Sequence, residues 1–473
     1  MNLYSTISIR NKIVLLFVFY IVLIAPLFLS APYFLLIDYA IWNQDYEKLL
    51  SCIEINMRPC GDVSKFPAAY LINSYFLNLF KNFSVSHEIT LFLLNSFFLS
   101  LPLVFFLMVR GLQFSIIAGI IYTCSVLLSA VPSYYLYSGG IEIQSGVMTG
   151  LFLSSFLLSY GATTKLNKTS LTLFLIVTAI LFPLYKDTNL MVIIITIILS
   201  KVIYQFISEK QDKKIENINH YFKGNLFRIF AILLVPFSIM CSYNYFKYES
   251  ILPVAYLQEA DFASPAILKS VEFLFASIYS PNGGVLIFWF VSFFVALSLI
   301  HYLGMRISRL AIICCLILVI SSAVGFSLWW APFGWDSWGN RMMIPSVLAS
   351  LIILTSTLTV RTKQIYSGKD ALKYIISENS RVKNIAVFGG TFIILYLSIK
   401  FTLLPYFHDK SILLRNAMYP GDACQTMLEV AINIINETGN LELYPSGYWR
   451  SNYYYECARE RFLHSPSSYG LTN

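Results

Sequence analysis

Charged side chains are scarce in this chain, and those able to do chemistry sit at the ends of long apolar runs. Asp38 closes the first run in LLIDYAIWNQDYEKLL, with Asp45 and Glu47 within two turns after it. A carboxylate with restricted hydration becomes more basic, which suits a general base taking a proton from a hydroxyl. The same aspartate could simply mark the end of the run. Glu142, in SYYLYSGGIEIQSG, and Asp45 are the next candidates for that base. Lys186, in LYKDTN, and Arg341, in LWWAPFGWDSWGNRMMIP, are cations at the ends of other runs. Arginine offers phosphate oxygens a planar fork, and lysine a point charge. Their bland role is snorkelling or helix capping. Around Arg341 stand Trp329, Trp330, Trp335, Trp338, Asp336 and Asn340. Tryptophan faces stack on the C–H surfaces of sugars, and Asp336 and Asn340 could bond sugar hydroxyls. An interfacial aromatic belt is the simpler use of tryptophan.

The elements that must hold these residues follow from composition. The 473-residue chain is 57% hydrophobic and only 12% charged. A soluble protein carries roughly twice that charged fraction, so a polytopic, all-α membrane protein is expected. Crossing a bilayer takes about 20 apolar residues. Eleven runs qualify, at about 13–37, 89–109, 114–132, 143–160, 169–185, 188–206, 227–244, 284–303, 309–329, 342–360 and 385–404. The first is too long for a signal-peptide core and reads as a retained helix.

Lysine and arginine set the orientation. With the N-terminus in the cytoplasm, the inner segments carry most of the basic residues, notably in 208–228 and 361–383, and the outer segments most of the acidic ones. The C-terminus then lies outside. The transmembrane domain spans 1–404 with outer loops 38–88, 245–283 and 330–341, and 405–473 forms an external segment. Within the first loop, KFPAAYLINSYFLNLFKNFS (65–84) reads as an interfacial helix that could shape a groove for a lipid-linked substrate.

Four cysteines fall in apolar runs and act as small hydrophobes: Cys124, Cys241, Cys314 and Cys315. The other four are all outer, which suits an oxidising compartment. Disulfides Cys52–Cys60 and Cys424–Cys457 are expected; free thiols, or a bridge between the two segments, are the alternatives. The net charge of +8 reflects topology. No zinc-finger or RNA-binding signature is present, so no nucleic-acid partner is expected. No phosphate-binding P-loop or dinucleotide fingerprint occurs, which argues against an ATP-driven pump. The polar chemistry gathers at the outer face, which favours an enzyme working there over a transporter.

The order of motifs resembles the GT-C superfamily of polytopic glycosyltransferases. Asp38 follows the first run, KFPAAYLI is similar to the family's HPPLYY-type stretch, IYSPNGGVLIFW to its SPGRGLF-type entry, and WAPFGWDSWGNRMMIP to its W-x-G-x-x-x-G-x-R-x-x-x-P pattern. The resemblance covers roughly residues 10–360. Size and topology are similar to phage-type O-antigen glucosyltransferases of serotype conversion. It implies transfer of a sugar, glucose for example, from a polyprenyl-phosphate donor to a glycan or lipid-linked acceptor such as O-antigen, in the bacterial inner membrane with a periplasmic C-terminus. Asp38 would be the base, Arg341 and Lys186 would hold the phosphate, and the Trp335, Asp336, Trp338, Asn340 turn would shape the sugar pocket. No cofactor is expected. The missing D-x-D after the first run leaves a divalent metal an open question, and no metal ligands are assigned. An O-antigen polymerase and a lipid-linked saccharide flippase are the competing readings.

Overall fold

The computed structural model describes 67–110, 112–127, 136, 141–161, 167–186, 188–209, 226–252, 267–279, 285–303, 305–328, 341–360 and the helical residues 14, 16–18 and 20–22. These residues are predominantly helical. The order is α1 (Pro67–Lys81), α2 (His87–Val109), α3 (Leu112–Leu127), α4 (Glu142–Gly161), α5 (Lys168–Tyr185), α6 (Thr188–Glu209), α7 (Leu226–Tyr248), α8 (Ile267–Tyr279), α9 (Val285–Phe288), α10 (Phe290–Tyr302), β1 (Met305–Arg306), α11 (Arg309–Ser327), a 3₁₀ turn (Arg341–Met343), α12 (Ile344–Ser356) and β2 (Thr359–Val360). Each apolar run between 89 and 360 therefore carries a helix. Among the described residues, three helices are long and apolar enough to cross a membrane, over Ile89–Val109, Lys168–Tyr185 and Arg309–Ser327.

Local chemistry sets many of the ends. Pro67 opens α1, where its missing N–H and fixed φ cost nothing. The chain leaves α1 through Ser84 at φ 56°, with the Val85 N–H donating to the Phe80 carbonyl at 3.3 Å. That left-handed residue closes the helix in the way glycine usually does. Ser86 then caps α2 by accepting from the Ile89 N–H. Asn167 caps α5 in the same way through Ser170, and its own N–H donates to Val109 at the end of α2. Two elements differ from the sequence reading. The run 284–303 is two helices that break at the buried Trp289, just after SPNGG. The segment 245–283, expected from the sequence as an outer loop, contains α8, which packs on α11.

Among the described residues, many large apolar side chains are exposed and many polar ones are buried. Ile312, Leu316, Ile320 and Val324 form an exposed stripe on α11, while Cys314, Cys315, Ser322 and Ala323 face inward. On α5, Leu173, Ile176, Val177 and Ile180 are exposed, and Ser170, Thr178 and Ala179 are buried. In water such stripes would be costly. Among lipid tails they cost nothing, and small or polar residues are left to join the helices.

At the centre, α12 is buried along its whole length and packs most extensively against α4. Two glycines permit the approach. A Cβ on Gly146 would lie 3.0 Å from the Pro345 Cα, and one on Gly150 would lie 2.9 Å from the Ala349 Cα and 2.8 Å from the Ile352 Cδ1. One turn further, the Ser356 hydroxyl donates to Ser154 at 2.8 Å. The register advances together along both helices, so the pair is parallel. Ser322 of α11 and Ser346 of α12 share a hydrogen bond across the next contact. At the far end, the Arg110 guanidinium donates from Nη2 to the Leu358 carbonyl at 2.6 Å and lies 3.7 Å from the centroid of the Phe114 ring. There β1 and β2 form a two-stranded antiparallel ladder, Met305 opposite Val360.

This contact generates a paired expectation. Gly150→Leu forces α4 away from α12 and lowers stability in detergent by about 1–3 kcal/mol, the usual penalty of overpacking. Gly325→Ala, on α11, meets nothing within 4 Å. It gains up to about 1 kcal/mol of helix propensity. Thermal unfolding followed by fluorescence-detected size exclusion checks both; equal effects would mean that the α4–α12 approach is not limiting.

Candidate functional site

Parallel packing of α4 and α12 brings their N-terminal ends together, and the chain places charge on both. Glu142 is the first residue of α4, where a carboxylate is favoured by the helix dipole. Arg341 opens the 3₁₀ turn that leads into α12. Glu142 Oε1 lies 3.8 Å from Arg341 Nε. The two residues are 4% and 9% exposed. At this separation the contact is an ion pair and not a hydrogen bond. Glu142 Oε2 is buried and has no hydrogen-bond partner among the described residues.

Lys186 joins them from a third element. It ends α5, its N–H donating to Phe182 and its carbonyl accepting from Asn189 at the start of α6. Its side chain is buried at 4% exposure. Nζ reaches to 3.6 Å from the sulfur of Met342, the residue after Arg341, and to 5.1 Å from the Phe326 ring centroid. An ion pair and a third buried charge, from widely separated stretches, therefore stand at one end of the bundle.

Below them lies a layer of buried amides and hydroxyls. Gln144 Nε2 donates to Asn73 Oδ1 of α1 at 2.9 Å and to Asn95 Oδ1 of α2 at 3.2 Å. Asn95 Nδ2 donates to the Leu136 carbonyl at 2.9 Å. On another face of α4, Asn189 Nδ2 donates to Ser145 Oγ at 2.5 Å and to Thr149 Oγ1 at 3.3 Å. These bonds tie α1, α2 and α6 to the first turns of α4. They hold the helix that carries Glu142 on several sides.

Of the residues singled out in the sequence, the structure brings together Glu142, Lys186 and Arg341. Asp38, Asp45, Trp335, Asp336, Trp338 and Asn340 lie outside the described residues, as do both expected disulfides, Cys52–Cys60 and Cys424–Cys457. Cys124, Cys241, Cys314 and Cys315 are free thiols. The α1 segment is a helix, as KFPAAYLI suggests. Leu71, Tyr75 and Leu79 are exposed on it, and Asn73, Ser74 and Leu77 are buried. Among the described residues, no three His, Cys, Asp or Glu side chains stand together as a metal site needs. Asn73, Asn95, Gln144 and Asn189 escaped the sequence reading. The signal was there: carboxamides inside or beside apolar runs find partners on neighbouring helices.

Chemically, the cluster offers two cations to an anion and one carboxylate to a hydrogen-bond donor. A double-mutant cycle tests the pair at its heart. Glu142→Gln and Arg341→Gln each destabilise the protein in detergent, and the double variant falls short of their sum by about 0.5–3 kcal/mol. Strict additivity in chemical unfolding would show that the two side chains do not interact.

No family model, no curated protein and no solved structure matches the chain.

Proposed function

We propose that the protein is a polytopic membrane glycosyltransferase that moves a sugar from a polyprenyl-phosphate donor to an extracytoplasmic glycan such as O-antigen. The observation that carries this reading is the meeting of Arg341, Lys186 and Glu142 at one buried end of the bundle. A phosphate is the group best matched to an arginine fork beside a lysine. The N-termini of α4 and α12 point the same way and add their positive dipole ends. The likeness of Asp38, KFPAAYLI, IYSPNGG and the Arg341 turn to GT-C motifs supplies the reaction class. The apolar stripes on α5 and α11 suit a protein whose substrate is itself a lipid.

In this reading eleven spans cross the bacterial inner membrane, with the N-terminus in the cytoplasm and the C-terminus in the periplasm. The charge cluster then faces the periplasm. Asp38 takes the proton of the acceptor hydroxyl as that oxygen bonds to the anomeric carbon. The bond from the anomeric carbon to the phosphate oxygen breaks, and its electron pair leaves with polyprenyl phosphate. Charge grows on that oxygen as the bond breaks, and Arg341 and Lys186 meet it. A phosphate so matched leaves without being protonated. Glu142 holds the guanidinium of Arg341 in place. Trp335 and Trp338 stack on the sugar, with Asp336 and Asn340 on its hydroxyls.

The test is transfer from labelled polyprenyl-phosphate sugars by the purified protein in proteoliposomes. Per folded molecule, Asp38→Asn lowers turnover by about 10²–10⁴-fold, the usual worth of a general base, and leaves donor binding intact. Arg341→Lys weakens donor binding, and Arg341→Ala weakens it further and slows the chemistry. Normal turnover by Asp38→Asn would remove that residue from catalysis. Movement of the intact lipid-linked sugar across the bilayer, without release of polyprenyl phosphate, would favour the flippase reading instead. A reporter fused at the C-terminus should be active only in the periplasm.

A further inference from the structure

Glu142 has chemistry that holding Arg341 does not use. One carboxylate oxygen faces the guanidinium at ion-pair distance. The other, Oε2, is buried and accepts no hydrogen bond among the described residues. An ionised carboxylate has about four acceptor positions and no donor. Buried acceptors are almost always filled in working proteins. Whatever fills this one must bring a hydrogen. The phosphate expected at Arg341 cannot, because it is an acceptor and carries the same sign of charge. A hydroxyl can. In a glycosyl phosphate the phosphate hangs from the anomeric carbon, and the hydroxyl nearest to it is on the adjacent carbon. A donor whose phosphate sits on the arginine has that hydroxyl within reach of the neighbouring carboxylate.

We propose that Glu142 Oε2 accepts a hydrogen bond from the 2-hydroxyl of the transferred sugar and so selects donors that carry it. The inference rests on the polyprenyl-phosphate reading above and narrows its substrate class. The discrimination belongs to the site and not to the sugar. Removing an electron-withdrawing hydroxyl beside the anomeric carbon makes a glycosyl group intrinsically more reactive. A site built around a hydroxyl rejects the analogue lacking it because its own buried polar group is left unpaired.

The experiment compares kcat/KM for polyprenyl-phosphate glucose and galactose with that for their 2-deoxy counterparts, in proteoliposomes and per folded molecule. The wild type prefers the 2-hydroxyl donors by on the order of 10²–10⁴-fold. Glu142→Ala collapses the preference to less than about tenfold. Glu142→Gln, which keeps the shape and one neutral acceptor oxygen, retains part of it. Should the alanine variant fail to fold, the glutamine variant carries the test, with a preference reduced by about tenfold. A residue that merely supports Arg341 would lower both donors together and leave their ratio unchanged. That result, or a wild type indifferent to the hydroxyl, overturns the assignment while leaving glycosyl transfer standing. Turnover of none of these donors, with or without the hydroxyl, overturns both.

Discussion

The close approach of α4 and α12 is the contact on which the rest of the structure depends. Gly146 and Gly150 have no side chains, so the backbone of α12 at Pro345 and Ala349 can settle against α4. Between helices surrounded by lipid there is little hydrophobic drive toward association, because lipid tails are as apolar as leucine. Dispersion contact and interhelical hydrogen bonds must supply it, and both grow as backbones near one another. The close fit also fixes register. Sliding α12 by one turn would take Ser356 from Ser154 and Arg341 from Glu142. The position of the charge pair at one end is therefore a consequence of glycines about one and two turns further along α4.

Arginines hold α12 at both ends, and by different means. At one end Arg341 faces the carboxylate of Glu142. At the other, Arg110 donates to the Leu358 carbonyl just past the helix, with Phe114 stacked beneath its guanidinium. A cation near the last carbonyls of a helix is favoured by the dipole and satisfies an acceptor that the helix leaves open. The Arg110 end is structural: its donor meets a backbone acceptor and its face is covered by a ring. The Arg341 end leaves a buried carboxylate oxygen unfilled. Burying charge is expensive and is tolerated where geometry repays it. That contrast is why the proposed chemistry is placed at one end of the bundle and not the other.

The amide layer beneath the charges explains how the site keeps its shape. Gln144 joins α4 to α1 and α2, and Asn189 joins it to α6. Each bond is buried, so breaking it would leave polar atoms with nothing to replace the lost partner. α4 is thus held from several directions at its first two turns, where Glu142 stands. α1 exposes Leu71 and Tyr75 while Asn73 reaches inward. α1 thus presents an apolar face outward and a polar anchor to the amide layer.

Helix-forming capacity and run length are local properties, and they were legible in the residues. The apolar runs between 89 and 360 each carry a helix, the form in which a single apolar segment satisfies its own backbone hydrogen bonds. Glu142, Lys186 and Arg341 were visible as candidates because a charge at the end of such a run is unusual. Other features were not visible. Gly146 and Gly150 read as ordinary residues of one run, since their effect appears only when a second backbone arrives. The break at Trp289 was hidden in a continuous apolar stretch. Most of all, nothing local joins Glu142 to Arg341 or Lys186 to Met342. Which helix packs on which is decided by long-range complementarity of small and polar faces. The sequence determined the helices and the charges at their ends; tertiary packing decided that Glu142 and Arg341 pair, and that Lys186 is buried beside Met342 at the same end of the bundle.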